Sequence, residues 1–418
     1  GPASTAPEVM SKMVEVGMNV ARINFSHATM EERKAVVESV HKVREMTKKN
    51  IAILYDTKGP EFRNGMLEND EITLVEGKTI RLVKETVLGN EERISVNHPQ
   101  AIDNLKVGSI VLLENGLMKI EVVSVEEDGV TCKIINGGVL GNKKSLNAPG
   151  VKLDIPFISD VDREDIIYAC EHEGDYIALS FVSCKEDVLA AREILKEYNR
   201  EDMKVISKIE STTGVENLDS IIDVSDGIMV ARGDLGVEVP MQQLPRYQKE
   251  MIQRCREKGK FVVVATEMLE SMKKSARPTR AEVSDVANAV FDGTGAIMLS
   301  GESAMGKYPV QCVETMTRIA TAVEASINYG RRFKRREYDL ETKNYEFYLA
   351  HSICSTALQM NAKAIFAYTE CGDTPKLLSS FLPCCPIYAV TSKEKTYKQL
   401  ALAWDVTPIL VKEDVPAK

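Results

Sequence analysis

The chain has 418 residues, which at roughly 100 to 200 residues per domain sets an expectation of two to four domains, and its 44% apolar and 28% charged content excludes a collagen-like or disordered polymer. Its 62 acidic against 53 basic side chains leave a net charge of −9, so the chain as a whole is excluded as a nucleic-acid polycation and an anionic ligand would need a local basic pocket. The longest apolar runs, such as Phe261 to Thr266, are far shorter than the roughly 20 residues of a membrane helix, and no signal-peptide pattern is present; a cytoplasmic protein without a membrane partner is expected.

Nine cysteines, an odd number without a CxxC pair or zinc-like histidine spacing, point to reduced thiols. The chain opens in GPAS, a turn with no strand before it. From residue 17 to 58 and again from 155 to 330, short β-branched runs alternate with helical patterns. Seven runs are legible: 19–26, 51–56, 176–182, 204–209, 227–232, 261–266 and 296–300. Two capping-box patterns mark helix starts between them, Ser159 with Asp162 and Thr279 with Glu282. A parallel barrel of this kind closes at eight strands, so the expectation is a (β/α)8 TIM-type α/β barrel whose first strand is absent from this chain; seven strands would leave two unpaired edges, so the chain is read as truncated, completed by something else, or less stable than its complete form. Residues 59–153 interrupt the rhythm with alternating strands and hairpin turns at Asn115-Gly116 and Asp128-Gly129, an inserted β-barrel lid. The barrel domain is thus expected over 1–58 and 154–332, the lid over 59–153, and a C-terminal α/β domain, cut short, over 333–418.

In barrels of this type the C-terminal ends of the strands carry the active site. Those ends here are crowded with polar residues: Arg22, Asn24 and Ser26; Asp56, Thr57 and Lys58; Ser180; Lys208 and Glu210; Arg232 and Asp234; Thr266; Ser300 and Glu302. Lys208 and Glu210 are two apart on a strand, hence on one face, and form either a structural ion pair or a ligand site. Asp234, at the end of the next strand, adds the second carboxylate that Mg²⁺ needs beside substrate oxygens. The glycines flanking Asp234 in MVARGDLG let backbone amides approach an anion, though an ordinary βα turn reads the same way. GESAMGK (301–307) matches a P-loop up to its last position, where Tyr308 replaces the required Ser or Thr, and is set aside.

The segments NVARINFSH, YDTKGPEFR, ISKIEST, SDGIMVARGDLGVEVP, VATEMLESM, RPTRAEVSDVANAV and MLSGESAMGKYP resemble, in order and over nearly the whole chain, the pyruvate kinase family. The resemblance implies transfer of the phosphoryl group of phosphoenolpyruvate to ADP, giving ATP and pyruvate in glycolysis, with Mg²⁺ or Mn²⁺ and K⁺, by a homo-oligomer that is a tetramer in the family. It implies Lys208, Thr266, Arg63 and Arg22 as the catalytic set, with substrate held by Arg22, Lys208, Gly233, Asp234 and Thr266. Nucleotide would be held by Arg22, His27, Arg63 and the lid's Lys144, Mg²⁺ by Glu210 and Asp234, and K⁺ by Asn24, Ser26, Asp56 and Thr57. Glu61 stands where potassium-independent members carry a lysine, so dependence on K⁺ is expected. The chain departs from the family's usual residues at Glu267, at Asn115 in the lid, and at Asp373 in a loop resembling an effector phosphate loop. Two other readings stay open: a Mg²⁺-dependent barrel lyase or aldolase acting on pyruvate-like enolates, and a truncated, catalytically impaired binding module.

Overall fold

Strand β1 (Val20–Asn24) pairs in parallel with β2 (Ala52–Asp56), and the helix Met30–Thr47 makes the crossover between them. That helix begins where Thr29 and Glu32 cap each other reciprocally, a T-x-x-E start that the sequence reading passed over. The structure is a computed structural model and describes residues 1–26, 28–334 and 344–412.

After β2 the chain enters a β-rich insert of eight strands: β3 (Glu71–Leu74), β4 (Thr79–Val83), β5 (Arg93–Ser95), β6 (Ile110–Leu113), β7 (Met118–Glu126), β8 (Gly129–Asn136), β9 (Gly138–Gly141) and β10 (Leu146–Asn147). Six of them form one sheet in the order β10-β6-β7-β8-β4-β5, and β3 pairs with β9. Alternation along β4 buries Ile80 and Leu82 while Thr79 stays exposed, so the insert holds a hydrophobic cluster of its own with Ile94, Val111 and Ile120. The β6–β7 hairpin turns through Glu114, Asn115 and Gly116 at φ 48°, 56° and 82°, left-handed geometry that the Asn-Gly pair supplies at low cost.

The chain then returns through β11 (Tyr176–Leu179), β12 (Lys204–Ile209), β13 (Gly227–Ala231), β14 (Phe261–Ala265) and β15 (Ala296–Ile297). The seven barrel strands follow one another as β1-β2-β11-β12-β13-β14-β15, every neighbouring pair parallel. Both faces are covered, so these strands read as continuous apolar runs and the faces separate only by parity. On β2, Ile53 and Tyr55 pack outward against the helices, whereas Ala52 and Leu54 point into the barrel interior with Ala178, Ile206, Met229 and Val263. The capping boxes of Ser159 with Asp162 and Thr279 with Glu282 start the helices Asp160–Glu171 and Arg280–Asp292.

β1 and β15 are the two ends of this curled sheet, and between them runs a cavity of about 530 Å³ lined by Val20, Leu54, Met229, Val263, Ala296 and Met298. The run read over 296–300 is regular only at Ala296–Ile297, because an edge with one neighbour has half of its ladder to hold it. A fourth sheet, β16 (Ile365–Tyr368), β17 (Ile387–Thr391) and β18 (Val406–Leu410), is parallel throughout. The turn before β18 plugs the barrel floor: Leu402 joins the interior cluster, and Gln399 Nε2 donates to the carbonyls of Asp175 at 3.1 Å and Asp202 at 2.8 Å.

At the upper end of the cavity the amide of Ala3 donates to the Ala304 carbonyl at 3.0 Å, so a segment ahead of Gly1 could run up through the gap parallel to its neighbours. An apolar β-strand added there would pair two edges and bury side chains at about 1.5 to 3 kcal/mol each. Calorimetry of such an extended protein is expected to show a melting temperature at least about 4 °C higher. An unchanged Tm would mean that seven strands already satisfy the barrel.

Candidate active site

The parity that fills the barrel interior with Ala52, Leu54 and Ile206 continues to the upper strand ends, where it delivers polar side chains. β1 contributes Arg22, β2 Asp56, the end of β11 Ser180, and β12 both Lys208 and, just beyond it, Glu210. Asp56, Ser180, Lys208 and Glu210 are all buried. Lys208 Nζ lies 3.2 Å from Asp56 Oδ1 and 3.0 Å from Glu210 Oε1, and donates to Ser180 Oγ at 2.6 Å. Its three donors therefore have three acceptors, which is what a buried ammonium requires. Arg22 Nε closes the other side of Asp56, 2.6 Å from Oδ2.

Burial by itself would lower the Lys208 ammonium, but Asp56 and Glu210 outweigh it and the group is held above its ordinary value. Asp56 is likewise opposed by burial, yet Arg22 and Lys208 hold its carboxyl below the usual range. Glu210 goes the other way: burial, with Asp234 and Asp56 adding repulsion against the pull of Lys208, pushes it up to about 7. Of the two carboxylates competing for one lysine, Asp56 stays ionised and Glu210 is the first to take a proton. A cluster with Glu210 and Asp234 both ionised is one cation short.

Ser180, Phe181 and Arg232 carry no assigned role in the sequence, yet each holds part of the site in place. Ser180 Oγ passes the Lys208 contact on to the Thr57 carbonyl at 2.7 Å, and its amide donates to Thr57 Oγ1 at 3.1 Å. Phe181 has φ 57°, which turns its amide onto Glu210 Oε2 at 2.6 Å. On the far side of the mouth, Thr266 and Glu267 have φ 69° and 53°; for a β-branched threonine this is a strained conformation. Arg232 holds it, donating from Nη2 to the Thr266 carbonyl at 2.5 Å while Nη1 pairs with Asp285 at 2.7 Å. The strain aims Thr266 Oγ1 at the Gly233 amide, 2.8 Å away, in the short helix Arg232–Glu238 that also carries Asp234. Positive φ at non-glycine positions leaves no mark in a sequence, whereas Arg232 and Ser180 were visible there as polar strand ends.

The expected nucleotide and potassium residues are spread more widely. Arg63 is engaged by Glu61, Nε to Oε2 at 2.8 Å and Nη2 to Oε1 at 2.7 Å, and by the Lys143 carbonyl. Lys144 Nζ pairs with Glu114 on the insert at 2.7 Å. The structure therefore brings Arg22, Asp56, Lys208 and Glu210 into direct contact and joins Gly233 to Thr266, while Arg63 and Lys144 are tied to carboxylates of their own. Asn24 Oδ1 accepts from the Ser26 amide at 3.0 Å. His27 lies outside the described residues. Among the described residues no group of three or more His, Cys, Asp or Glu is placed to hold a metal; the expected pair Glu210 and Asp234 is a sparse carboxylate set of the kind that suits Mg²⁺ completed by substrate oxygens. Burial, with repulsion from Asp234 and Asp56 added to it, raises Glu210, and a cation beside the two carboxylates would offset both. Among the described residues no helix is long and apolar enough to cross a membrane.

Residues 1–313 match the family model of the pyruvate kinase barrel domain, and residues 348–418 that of the pyruvate kinase alpha/beta domain. The pyruvate kinase of Sporosarcina psychrophila is 44% identical over 415 residues, covering 99% of this chain and 71% of that protein. The pyruvate kinase of Clostridium acetobutylicum is 42% identical over 411 residues, covering 98% of this chain and 87% of that protein. A crystal structure of a pyruvate kinase from Cryptosporidium parvum matches with a TM-score of 0.95 at 38% identity, covering 99% of this chain and 86% of the other.

Removing one member of a buried charge set strands the rest. Asp56→Asn leaves Arg22 and Lys208 without their shared counter-ion and is expected to lower the free energy of unfolding by about 3 to 5 kcal/mol, read from urea denaturation. A loss under about 1 kcal/mol would mean that Glu210 alone balances Lys208.

Proposed function

This chain belongs to the pyruvate kinase family, and from that premise we propose that it moves the phosphoryl group of phosphoenolpyruvate to ADP with Lys208 at the centre of the transfer. The observation that carries this reading is the buried ammonium held at the barrel mouth by Asp56, Glu210 and Ser180. In the reaction the bond from phosphorus to the enol oxygen breaks, a terminal oxygen of ADP takes the phosphoryl group, and the released enolate gains a proton on carbon to become pyruvate. Little covalent work falls to the protein, so position and charge decide the rate.

Lys208 faces the phosphoryl group and offsets the charge that develops on its oxygens; Asp56 fixes the ammonium in place, so it need not reorganise as the bond breaks. Arg22, a quarter of its side chain exposed, turns toward the same oxygens. Arg63 approaches from the insert, near enough to Asp234 to feel its charge. The substrate carboxylate is received at Thr266 and the amides of Gly233 and Asp234, where it must displace the bond now made between Gly233 and Thr266 Oγ1. Thr266, strained and hydrogen-bonded to its own strand at the Ala265 carbonyl, stands beside the carbon that is protonated. Lys144 and His27 complete the nucleotide set.

Glu210 and Asp234 would hold Mg²⁺ or Mn²⁺, which would supply positive charge against the substrate oxygens. The oxygens of Asn24, Ser26, Asp56 and Thr57 would hold K⁺; those of Asp56 and Thr57 already accept from Arg22, Lys208 and Ser180, contacts that the ion would share. A barrel lyase or aldolase would use neither the insert nor a monovalent cation, and a binding module would not need Thr266 held under strain. We divide the chain into a barrel over 1–58 and 154–332, a lid over 59–153 and a third domain over 333–418, a division supported by separate hydrophobic clusters. The setting proposed is the cytoplasm and the assembly a homo-oligomer, a tetramer on the family's pattern.

Lys208→Met is expected to fold and to lose on the order of 10²- to 10³-fold in kcat, read by coupling pyruvate formation to lactate dehydrogenase. Activity within tenfold of the parent would remove Lys208 from the transfer. Glu210→Gln and Asp234→Asn should each raise the Mg²⁺ concentration for half-maximal rate, and unchanged values in both would reject them as ligands. Rates in KCl should far exceed those in a tetramethylammonium salt of equal ionic strength. Glu61→Lys should narrow that ratio while also lowering kcat, because Arg63 loses its bidentate partner. Equal parental rates in the two salts would return the potassium cluster to a structural role.

A further inference from the structure

Beyond its two covalent connections, the insert touches the barrel at a place the reaction chemistry does not explain. Asn147, on β10, donates from Nδ2 to Glu238 Oε1 at 3.0 Å. On the adjoining hairpin a Cβ on Gly116 would lie 3.5 Å from Val237 Cγ1. Both barrel partners are the last residues of the helix Arg232–Glu238, whose first turn carries Gly233 and Asp234. The Glu238 carbonyl also accepts from Thr212 Oγ1 at 3.1 Å, two residues past Glu210. One glutamate therefore touches the insert, the helix bearing Asp234 and the segment following Glu210.

We propose that Asn147 and Glu238 are positioning residues, a latch that couples closure of the insert to the placement of the helix Arg232–Glu238. The importance of that helix rests on the reading of Asp234 as a cation ligand; the latch itself does not. Among the described residues, Asn147 is the one side chain hydrogen-bonded to the Glu238 carboxylate. With Asn147 in place, Glu238 is half-buried and stands four residues from Asp234, a like charge on the same helix. The Asn147 amide compensates both costs with a charge-assisted bond. Without that donor, closure would bury an unpaired carboxylate, so the equilibrium moves toward the open insert, where water serves Glu238 instead. The hydrogen bond needs one donor and one acceptor but not a particular direction, which makes the pair reversible by design.

The test is hydrogen exchange by mass spectrometry on the full chain, free of metal and substrate, following residues 112–118 of the insert and 232–238 of the barrel. Asn147→Asp sets two carboxylates face to face and is expected to raise exchange about tenfold in both segments; in the assay it should raise KM for ADP by more than it lowers kcat. Adding Glu238→Gln restores the bond with reversed polarity and should bring both segments back within about threefold of the parent. Glu238→Gln alone keeps an acceptor and should stay near the parent. Exchange unchanged in Asn147→Asp, a rise confined to 112–118, or no recovery in the double variant would each overturn the latch. Should Asn147→Asp fail to fold, Asn147→Ala, which removes the donor and leaves the Glu238 carboxylate, must show the same joint rise, and its absence would be equally decisive. Because exchange is read without metal, failure of Asp234 as a ligand would appear only in Mg²⁺ titrations and would leave this result standing.

Discussion

A lysine cannot be buried at the mouth of a barrel unless its charge is matched there, and the placement of Lys208 among Asp56, Glu210 and Ser180 is the constraint on which the rest of the site depends. The match is deliberately unequal. Asp56 is shared with Arg22 and remains ionised, while Glu210 is burdened by burial and by Asp234 until its proton is nearly in balance at neutral pH. On the reading proposed above, a cation held by Glu210 and Asp234 would offset that imbalance, whereas a fully neutral cluster would only stabilise the fold.

The arrangement follows from strand parity. Side chains of one parity fill the barrel interior with small and branched residues, and at the upper ends the same parity carries Arg22, Asp56, Ser180, Lys208 and Glu210 to a common point. β2 and β12 are not neighbours, since β11 lies between them, so the contact of Asp56 with Lys208 spans two ladders and depends on the curl of the sheet. A flat sheet with the same sequence would have left these groups well apart, about 10 Å at ordinary strand spacing.

Much of this architecture was legible in the residues. The alternation of β-branched runs with capped helices announced parallel βα units, the Asn-Gly and Asp-Gly pairs announced the insert's hairpins, and the crowding of polar residues at strand ends located the mouth. The pairing of Asp56 with Lys208 was not legible, because it joins residues 152 positions apart through a topology that no local pattern encodes. The left-handed conformations at Phe181 and Thr266 were equally silent, being imposed by Glu210 and Arg232 against the residues' own preference. Leu402 at the barrel floor and Asn147 on Glu238 share that character: each is an ordinary residue given its importance by what another unit brings to it.

The most direct measurement is a crystal structure of the protein with phosphoenolpyruvate and Mn²⁺, using the anomalous signal to place the ion. The account predicts one peak between Glu210 and Asp234, with Lys208 Nζ within hydrogen-bond distance of a phosphate oxygen and Asp56 still paired with Arg22. An ion bound elsewhere, or a Lys208 still closed on Glu210 and turned away from the phosphate, would contradict it.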